Sequence, residues 1–407
     1  MNCIANGLIL YTREQLIDFI CKCTYRTAPG DFSKESTLDF KTTALLTLNM
    51  IKKSIKAEIM SYFPIINKEI ETPSRQAFTQ AREKIKYTLF KDFFEKSCEL
   101  ATNNNEAKLF KRYRLFAIDG TSFLVGPMDK LKEYFGESTT IPGNAMCRIS
   151  AVVDIPNDYI VNACVSPYSA GERVLAIKQI EELKNVSNAL FLFDRGYWST
   201  ELTGKIISNN QKFVMRLASN TGKTIIKDET GEIFKLRRYS FSLPSGELEV
   251  LLTNLTEDEI SNDELAALYA KRWGIETKYL ELKSRLQIDK FSGESINIVL
   301  QDIYSTLYIS NLVAFLCLES DEIIKEKTAG KNNKYAQKTN RSLCISNLRD
   351  RFVFICLIAD DIARDAALLH LCSEISKNVT YIDKSKPRPR DKRHIKNSRL
   401  FYNKSVL

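Results

Sequence analysis

Histidine is almost missing from this chain. His370 and His394 are the only two in 407 residues, which leaves little room for imidazole-based acid–base or metal chemistry. The ten cysteines form no ligand framework. Cys21 and Cys23 stand too close together for an easy zinc clasp, and no second Cys or His pair follows at ligand spacing. Cys164, Cys317, Cys356 and Cys372 lie in apolar surroundings, where cysteine behaves as a small hydrophobe, so a reducing cytoplasm is expected. His370, in an Ala-Ala-Leu-Leu-His-Leu run, reads as structural. No secretory leader is evident at the N-terminus. The longest apolar stretch, near 307–318, contains Ser310 and Asn311 and is too short to span a bilayer. A soluble protein is expected.

What remains is ordinary in bulk and uneven in charge. Hydrophobic residues make up 44% and charged residues 27%, as in globular proteins, and the length suits two or three domains. The net charge is +9. Nearly all of the excess lies from Lys377 onward, where ten Lys and Arg face only Asp383 and Asp391. The run around Lys386, Arg388 and Arg390 is interrupted by prolines and cannot add much to a core. It reads as a solvated tail or as a contact for a polyanion.

Residues 1–108 have helical periodicity, notably over 14–23, 42–51 and 90–100. Ser74 after Pro73 is placed to cap a helix that presents Arg75, Gln76, Gln80 and Arg82. These are donors suited to phosphates and base edges, as in a helix-turn-helix reader, or to a generic charged helix. From Arg114 the pattern changes to strands at 115–118, 149–155, 159–165, 189–193 and 212–217, with helices between. That order describes a mixed sheet covered by helices. Short strands at 224–227, 233–241 and 247–253 imply a β-rich insertion over 218–258, folding beside the core. Ser261 or Asn262 starts a long helix, and apolar helices follow at 296–318 and 343–375.

Two strands end in an aspartate: Asp119 after Leu-Phe-Ala-Ile and Asp194 after Leu-Phe-Leu-Phe. Strand ends are where ligands gather, and Gly120 and Gly196 would allow tight turns there. On the long helix, Tyr269, Arg272, Glu276 and Lys283 are separated by three, four and seven residues, so they share one face. The stripe suits either a phosphate-bearing, metal-dependent substrate or a surface helix laced with ion pairs. Three carboxylates without His or Cys favour hard cations such as Mg²⁺ or Mn²⁺. Two such ions can activate a hydroxyl and stabilise the leaving oxygen of a phosphodiester.

With these residues the chain resembles the DDE transposases of bacterial insertion sequences. More narrowly it resembles the family-four type, which carries the Tyr/Arg/Glu/Lys signature and excises its element through hairpins. Further matching stretches are 117–122, 166–173, 193–198 and 74–82, and the likeness runs over about 40–320. It implies an α/β fold with an RNase H-like mixed-sheet core (109–217 and 259–340) and a β-rich insertion (218–258). The core would be flanked by a helical DNA-binding domain (1–108) and by C-terminal helices with the basic tail (341–407). It further implies cut-and-paste excision and strand transfer with Asp119, Asp194 and Glu276 as catalytic metal ligands. Two Mg²⁺ ions would serve as cofactors, with Mn²⁺ able to substitute. The partners implied are double-stranded DNA (terminal inverted repeats and target) and a second copy of the chain in a synaptic dimer on the bacterial nucleoid. Tyr269, Arg272 and Lys283 would grip phosphates near the cleaved end, with Trp273, Arg195, Arg75, Gln76, Arg82 and the tail as further DNA contacts. A catalytically inactive relative, acting as a repressor or architectural factor, is the alternative. One departure stands out: relatives hold a flipped base with a tryptophan in the insertion, whereas residues 205–265 contain none. Phe234, Tyr239 and Phe241 are the aromatic substitutes at hand.

Overall fold

A computed structural model describes residues 4–49, 54–63, 72–218, 221–227, 231–243 and 246–382. The basic tail, including Lys386, Arg388 and Arg390, lies outside the described residues. The organising element is a seven-stranded mixed sheet. Three antiparallel strands come first: β1 (Arg114–Gly126), β2 (Ala145–Asp154) and β3 (Tyr159–Pro167). β4 (Ala189–Phe193) and β5 (Lys212–Leu217) follow, and β4 pairs parallel with both β1 and β5. The helices Glu172–Glu182 and Thr200–Ser208 make the two crossovers, as parallel pairing requires. Every residue of β4 is buried, which is why its sequence is continuously apolar rather than alternating.

The expected insertion strands divide in two. β6 (Ile225–Lys227) and β7 (Ile233–Lys235) form a separate hairpin. β8 (Arg237–Ser242) and β9 (Leu248–Thr253) instead extend the main sheet, whose order is β3-β2-β1-β4-β5-β9-β8. This corrects the expectation that all of these strands fold beside the core. β9 offers Val250, Leu251 and Leu252 as buried side chains and hydrogen-bonds along the free edge of β5. Covering that edge satisfies backbone groups that would otherwise need water.

On one side of the sheet runs a 33-residue helix, Ile296–Thr328. It is buried on all sides from Ile298 to Cys317, which matches its all-round apolar sequence. Asn311 sits inside it, accepting from Ile160 N and donating to Ile160 O and Ser97 Oγ, each at 2.8 Å. The side chain therefore ties the helix to β3 and to the helix Thr88–Thr102. Asn311→Ala would strand the Ile160 N–H and C=O, at about 1–3 kcal/mol for each group left unsatisfied, while Ser97 keeps its bond to Phe94 O. A marked fall in unfolding temperature is expected, and an unchanged one would contradict this account.

The N-terminal helices Ile4–Ile17, Phe19–Tyr25, Phe40–Leu48, Ile55–Tyr62 and Arg75–Glu83 contribute to the same continuous hydrophobic core. The C-terminal helices Arg341–Leu357 and Asp361–Ser376 do so as well. The predicted helix over 343–375 is split at Ile358, where the chain turns before Asp360 caps the next helix. A two-stranded antiparallel sheet of β10 (Ala336–Thr339) and β11 (Val379–Ile382), which bracket these two helices, has no counterpart in the sequence expectations. The described cysteines are all free. His370 is exposed, 3.3 Å from Arg351 Nη1, so its apolar sequence neighbours do not enclose it. Among the described residues no helix is long and apolar enough to cross a membrane.

Candidate active site

Parallel pairing of β1 with β4 brings the two aspartates together. Ala117 pairs with Leu192, so Asp119 and Asp194 stand at corresponding positions two residues further along neighbouring strands. Adjacent strands lie about 4.8 Å apart. The strand-end expectation holds for Asp194, which follows β4 in an extended conformation and leads into the short helical turn Arg195–Tyr197. It fails for Asp119. β1 does not stop there but continues to Gly126, because β2 goes on pairing with it. It is β4 that ends, and its ending opens the space beside Asp119. Gly120 accordingly makes no turn. A Cβ on it would come within 3.0 Å of Glu172 Oε1, so glycine here admits a neighbouring carboxylate.

The helical stripe is built from two helices rather than one. Asn262–Ala270 begins with a full capping box at Ser261 and Glu264, and Trp273–Ser284 follows. Between them Lys271, Arg272, Gly274 and Ile275 donate to carbonyls three residues back, the tighter 3₁₀ pattern. Gly274 makes close packing possible, since a Cβ would lie 2.9 Å from Ile155 Cδ1. Deeper in the second helix, buried Lys278 pairs with Asp158 at 3.2 Å and Glu281 at 3.3 Å, and Arg341 grips Glu281 through two nitrogens. These ion pairs hold the segment that carries Glu276.

Arg272 is the centre of the constellation. Only 4% of it is exposed, and its Nη2 donates to Glu276 Oε1 at 2.9 Å. Its Nε and Nη1 are buried without hydrogen-bond partners. Burial alone would lower its pKa, but Tyr269, Asp194 and Glu276 beside it raise it above the usual arginine value. The Tyr269 hydroxyl donates to Asp194 Oδ1 at 3.4 Å, and burial pushes its phenol up. Trp273 is 44% exposed and shares the Arg272 guanidinium, 5.4 Å from its ring. Lys283 is half-buried, and burial lowers its pKa against the opposing pull of Asp289. Arg195, Arg75 and Gln76 are exposed.

Arg82 is not. It is 1% exposed and bonded to Asp302 at 2.8 Å and Gln301 at 3.0 Å. Its guanidinium has no path to a phosphate at the surface, which corrects the expectation of a DNA contact there. Its position on the inner side of Arg75–Glu83, one turn after buried Phe78, is what turns it inward.

Three further residues close on the site without a counterpart in the sequence expectations. Tyr279, one turn beyond Glu276, inserts its hydroxyl between β1 and β2, donating to Asp119 O at 2.7 Å and accepting from Ala151 N at 3.1 Å. The three-residue step from Glu276 is the signal for it in the sequence. Glu249 on β9 has its pKa raised by burial, against Arg216, with Glu247 and Asp194 adding to the rise. Glu172 opens the helix that follows β3 and lies over Gly120.

Burial pushes the Asp119 carboxyl up to about 6; the Gly120 amide and Arg272 oppose the rise, and Glu172 and Asp194 reinforce it. Among the described residues no three His, Cys, Asp or Glu side chains close into a ligand cluster. The donor set nevertheless fits a hard divalent cation. It consists of carboxylate oxygens at a partly desolvated site where like charges already repel, and a cation offsets both costs. Arg272 supplies part of that offset, and Glu276 would have to turn from it to become a ligand.

This sheet and its acids define a class. Residues 110–312, about half of the chain, match the family described as Transposase DDE domain. Among individual proteins, the putative transposase InsZ of Escherichia coli (strain K12) is 29% identical over 147 residues, 34% of this chain and 46% of that one. The match thus spans less than half of that relative's length. The cryo-EM structure of a piggyBac transposase synaptic complex with hairpin DNA aligns over 94% of this chain and 87% of its own, with a TM-score of 0.50 and 10% identity. That likeness speaks for the fold alone.

Proposed function

We propose that this chain is a metal-dependent DNA transposase that excises and joins an insertion sequence by cut-and-paste, with Asp119, Asp194 and Glu276 as its triad. The observation that carries the reading is the matched register of Asp119 and Asp194 on β1 and β4, with Arg272 joining them to Glu276. The strand order β3-β2-β1-β4-β5 with its mixed directions supports an RNase H-like core. The Tyr269/Arg272/Glu276/Lys283 spacing supports the family-four type.

When bound, Mg²⁺ or Mn²⁺ would lower the pKa of an attacking water or 3′-hydroxyl and stabilise the leaving oxygen. Asp119, Asp194 and Glu276 would hold it. Arg272 offers two unsatisfied N–H groups to a phosphate oxygen and is fixed in place by its packing against Tyr269 and Trp273. Preorganised donors of this kind stabilise charge that develops in the transition state. Lys283 and exposed Arg195 extend the phosphate grip along the strand. Tyr239 and Phe241 stack at 5.5 Å on the edge strand β8, on the same side as the β5–β9 pair Arg216/Glu249. They take the place of the missing insertion tryptophan. Inverted-repeat DNA, target DNA and a second copy of the chain are the partners.

The test is nicking and joining of DNA bearing the element's own inverted repeats in Mg²⁺, without a covalent protein–DNA intermediate. Tight end binding with no metal-dependent product would favour the repressor or architectural alternative. The tail gives a further prediction. Removing residues 384–407 should flatten the salt dependence of DNA binding, by about 0.9 in log–log slope for each phosphate that the tail neutralises. An unchanged slope would make the tail a solvated extension.

A further inference from the structure

We propose that Tyr279 is a positioning residue of the site, one that sets the orientation of the Asp119 carboxylate from the helix that carries Glu276. The inference rests on Asp119 and Glu276 being cation ligands. Tyr279 is 7% exposed and stands one turn after Glu276 on Trp273–Ser284, where residues three apart are neighbours on one helix surface. Its hydroxyl enters the β1–β2 ladder beside Asp119. Asp119 and Ala151 are partners in that ladder, and the hydroxyl donates to Asp119 O at 2.7 Å while accepting from Ala151 N at 3.1 Å. Ile149 O lies further off, at 3.4 Å.

The consequence lies in the peptide that joins Asp119 to Gly120. A trans peptide is planar, and its C=O and N–H point opposite ways. Tyr279 holds the C=O on the β2 edge of β1. The N–H therefore points to the other edge, where pairing with β4 has stopped after Ala117 and Leu192. There it donates to Asp119 Oδ1 at 2.9 Å. One rigid plane thus links the phenol to the carboxylate, and turning that plane withdraws the amide that holds Oδ1. Without the hydroxyl, Asp119 O and Ala151 N remain ladder partners and can bond to each other. The sheet survives, but the plane moves. Mg²⁺ demands near-ideal octahedral geometry, so a turned carboxylate costs activity where it costs little stability.

The test is Tyr279→Phe in the full chain. Its unfolding temperature and its affinity for the element's ends should stay near the parent's. Nicking in Mg²⁺ should fall about a hundredfold, the scale of a misplacement of about 1 Å. In Mn²⁺, a larger ion that tolerates less regular geometry, the loss should be smaller. In the metal-free chain without DNA, hydrogen–deuterium exchange at the Gly120 amide should quicken about tenfold, the worth of one hydrogen bond. Para-aminophenylalanine in place of Tyr279, which still donates to Asp119 O, should restore both nicking and slow exchange. Parental nicking by Tyr279→Phe beside an inactive Asp119→Asn overturns the proposal and leaves the triad standing. Parental nicking by Asp119→Asn removes the triad, and the proposal with it. Unchanged Gly120 exchange in Tyr279→Phe overturns the proposal as well. So does a Tyr279→Phe chain that unfolds early and loses nicking alike in Mg²⁺ and Mn²⁺, for the hydroxyl then serves the fold.

Discussion

Asp119→Asn is expected to abolish metal-dependent cleavage, by a thousand-fold or more on the order of magnitude seen when a preorganised charge is removed from a reacting centre, while end binding persists. Asparagine keeps the shape but loses the negative charge that holds a cation. Asp194→Asn and Glu276→Gln should act alike, because all three belong to one constellation and their effects are not additive. Plasmid nicking measured beside gel-shift affinity separates the two functions, and cleavage at the parental rate by any one variant would sink the triad. The same substitution carries an opposite expectation for stability. The folded-state pKa of Asp119 is pushed up to about 6, from a usual 3.8. Between those values the folded protein holds a proton that the unfolded chain has released, so stability falls as pH rises through the window. The cost at neutral pH is on the order of 2–3 kcal/mol, at about 1.4 kcal/mol per pKa unit. Metal-free Asp119→Asn should therefore unfold at a higher temperature than the parent at pH 7.5, with the difference shrinking toward pH 4.

Arg82→Ala is expected to cost about 3–5 kcal/mol, the range for breaking a buried ion pair from one side. Arg82 donates to Asp302, Gln301 and Ser292, and Gln301 returns bonds to Arg82 O at 3.0 Å and Ile85 O at 2.7 Å. Alanine would leave Asp302, 8% exposed, without its cation. The N-terminal helix Arg75–Glu83 would also lose one of its ties to the long central helix, keeping those through Arg82 O and Glu83. Arg75→Ala, two turns earlier on the same helix and exposed, should barely change stability and should act on DNA binding instead. Thermal unfolding of the two variants checks the contrast. Stable Arg82→Ala protein with weakened DNA affinity would return Arg82 to the surface role.

The contrast between Arg75 and Arg82 marks how far the site is legible in sequence. Both suit phosphate, as arginines on a helix with a capped start. Ser74 does cap that helix, accepting from Ala77 N at 3.1 Å. Which arginine is covered depends on where the helix docks, and its docking partner lies more than 200 residues away in the chain, at Asp302. Glu172 is hidden for a similar reason. It lies within the matching stretch 166–173, but only the crossover after β3 carries it over Gly120. The stripe is legible as a spacing but not as two helices. Packing of Gly274 against Ile155, which periodicity does not register, accompanies the tightened backbone between its halves.

Local pattern by itself determined the strand segments that lead into Asp119 and Asp194, the capped helix starts, the apolar character of the central helix and the spacing of Tyr269, Arg272, Glu276 and Lys283. Each of these depends on residues within a turn or two of one another, where alternation, capping and helical period act directly. Only the tertiary structure decided that β4 lies parallel beside β1, in the register that sets the two aspartates side by side. It alone decided that β8 and β9 complete the sheet rather than stand apart, that Arg82 turns inward, that Glu172 comes over Gly120 and that Tyr279 bonds to Asp119 O. Those outcomes depend on which sheet edges and helix faces can be buried together, and that is settled by contacts between segments far apart in the chain.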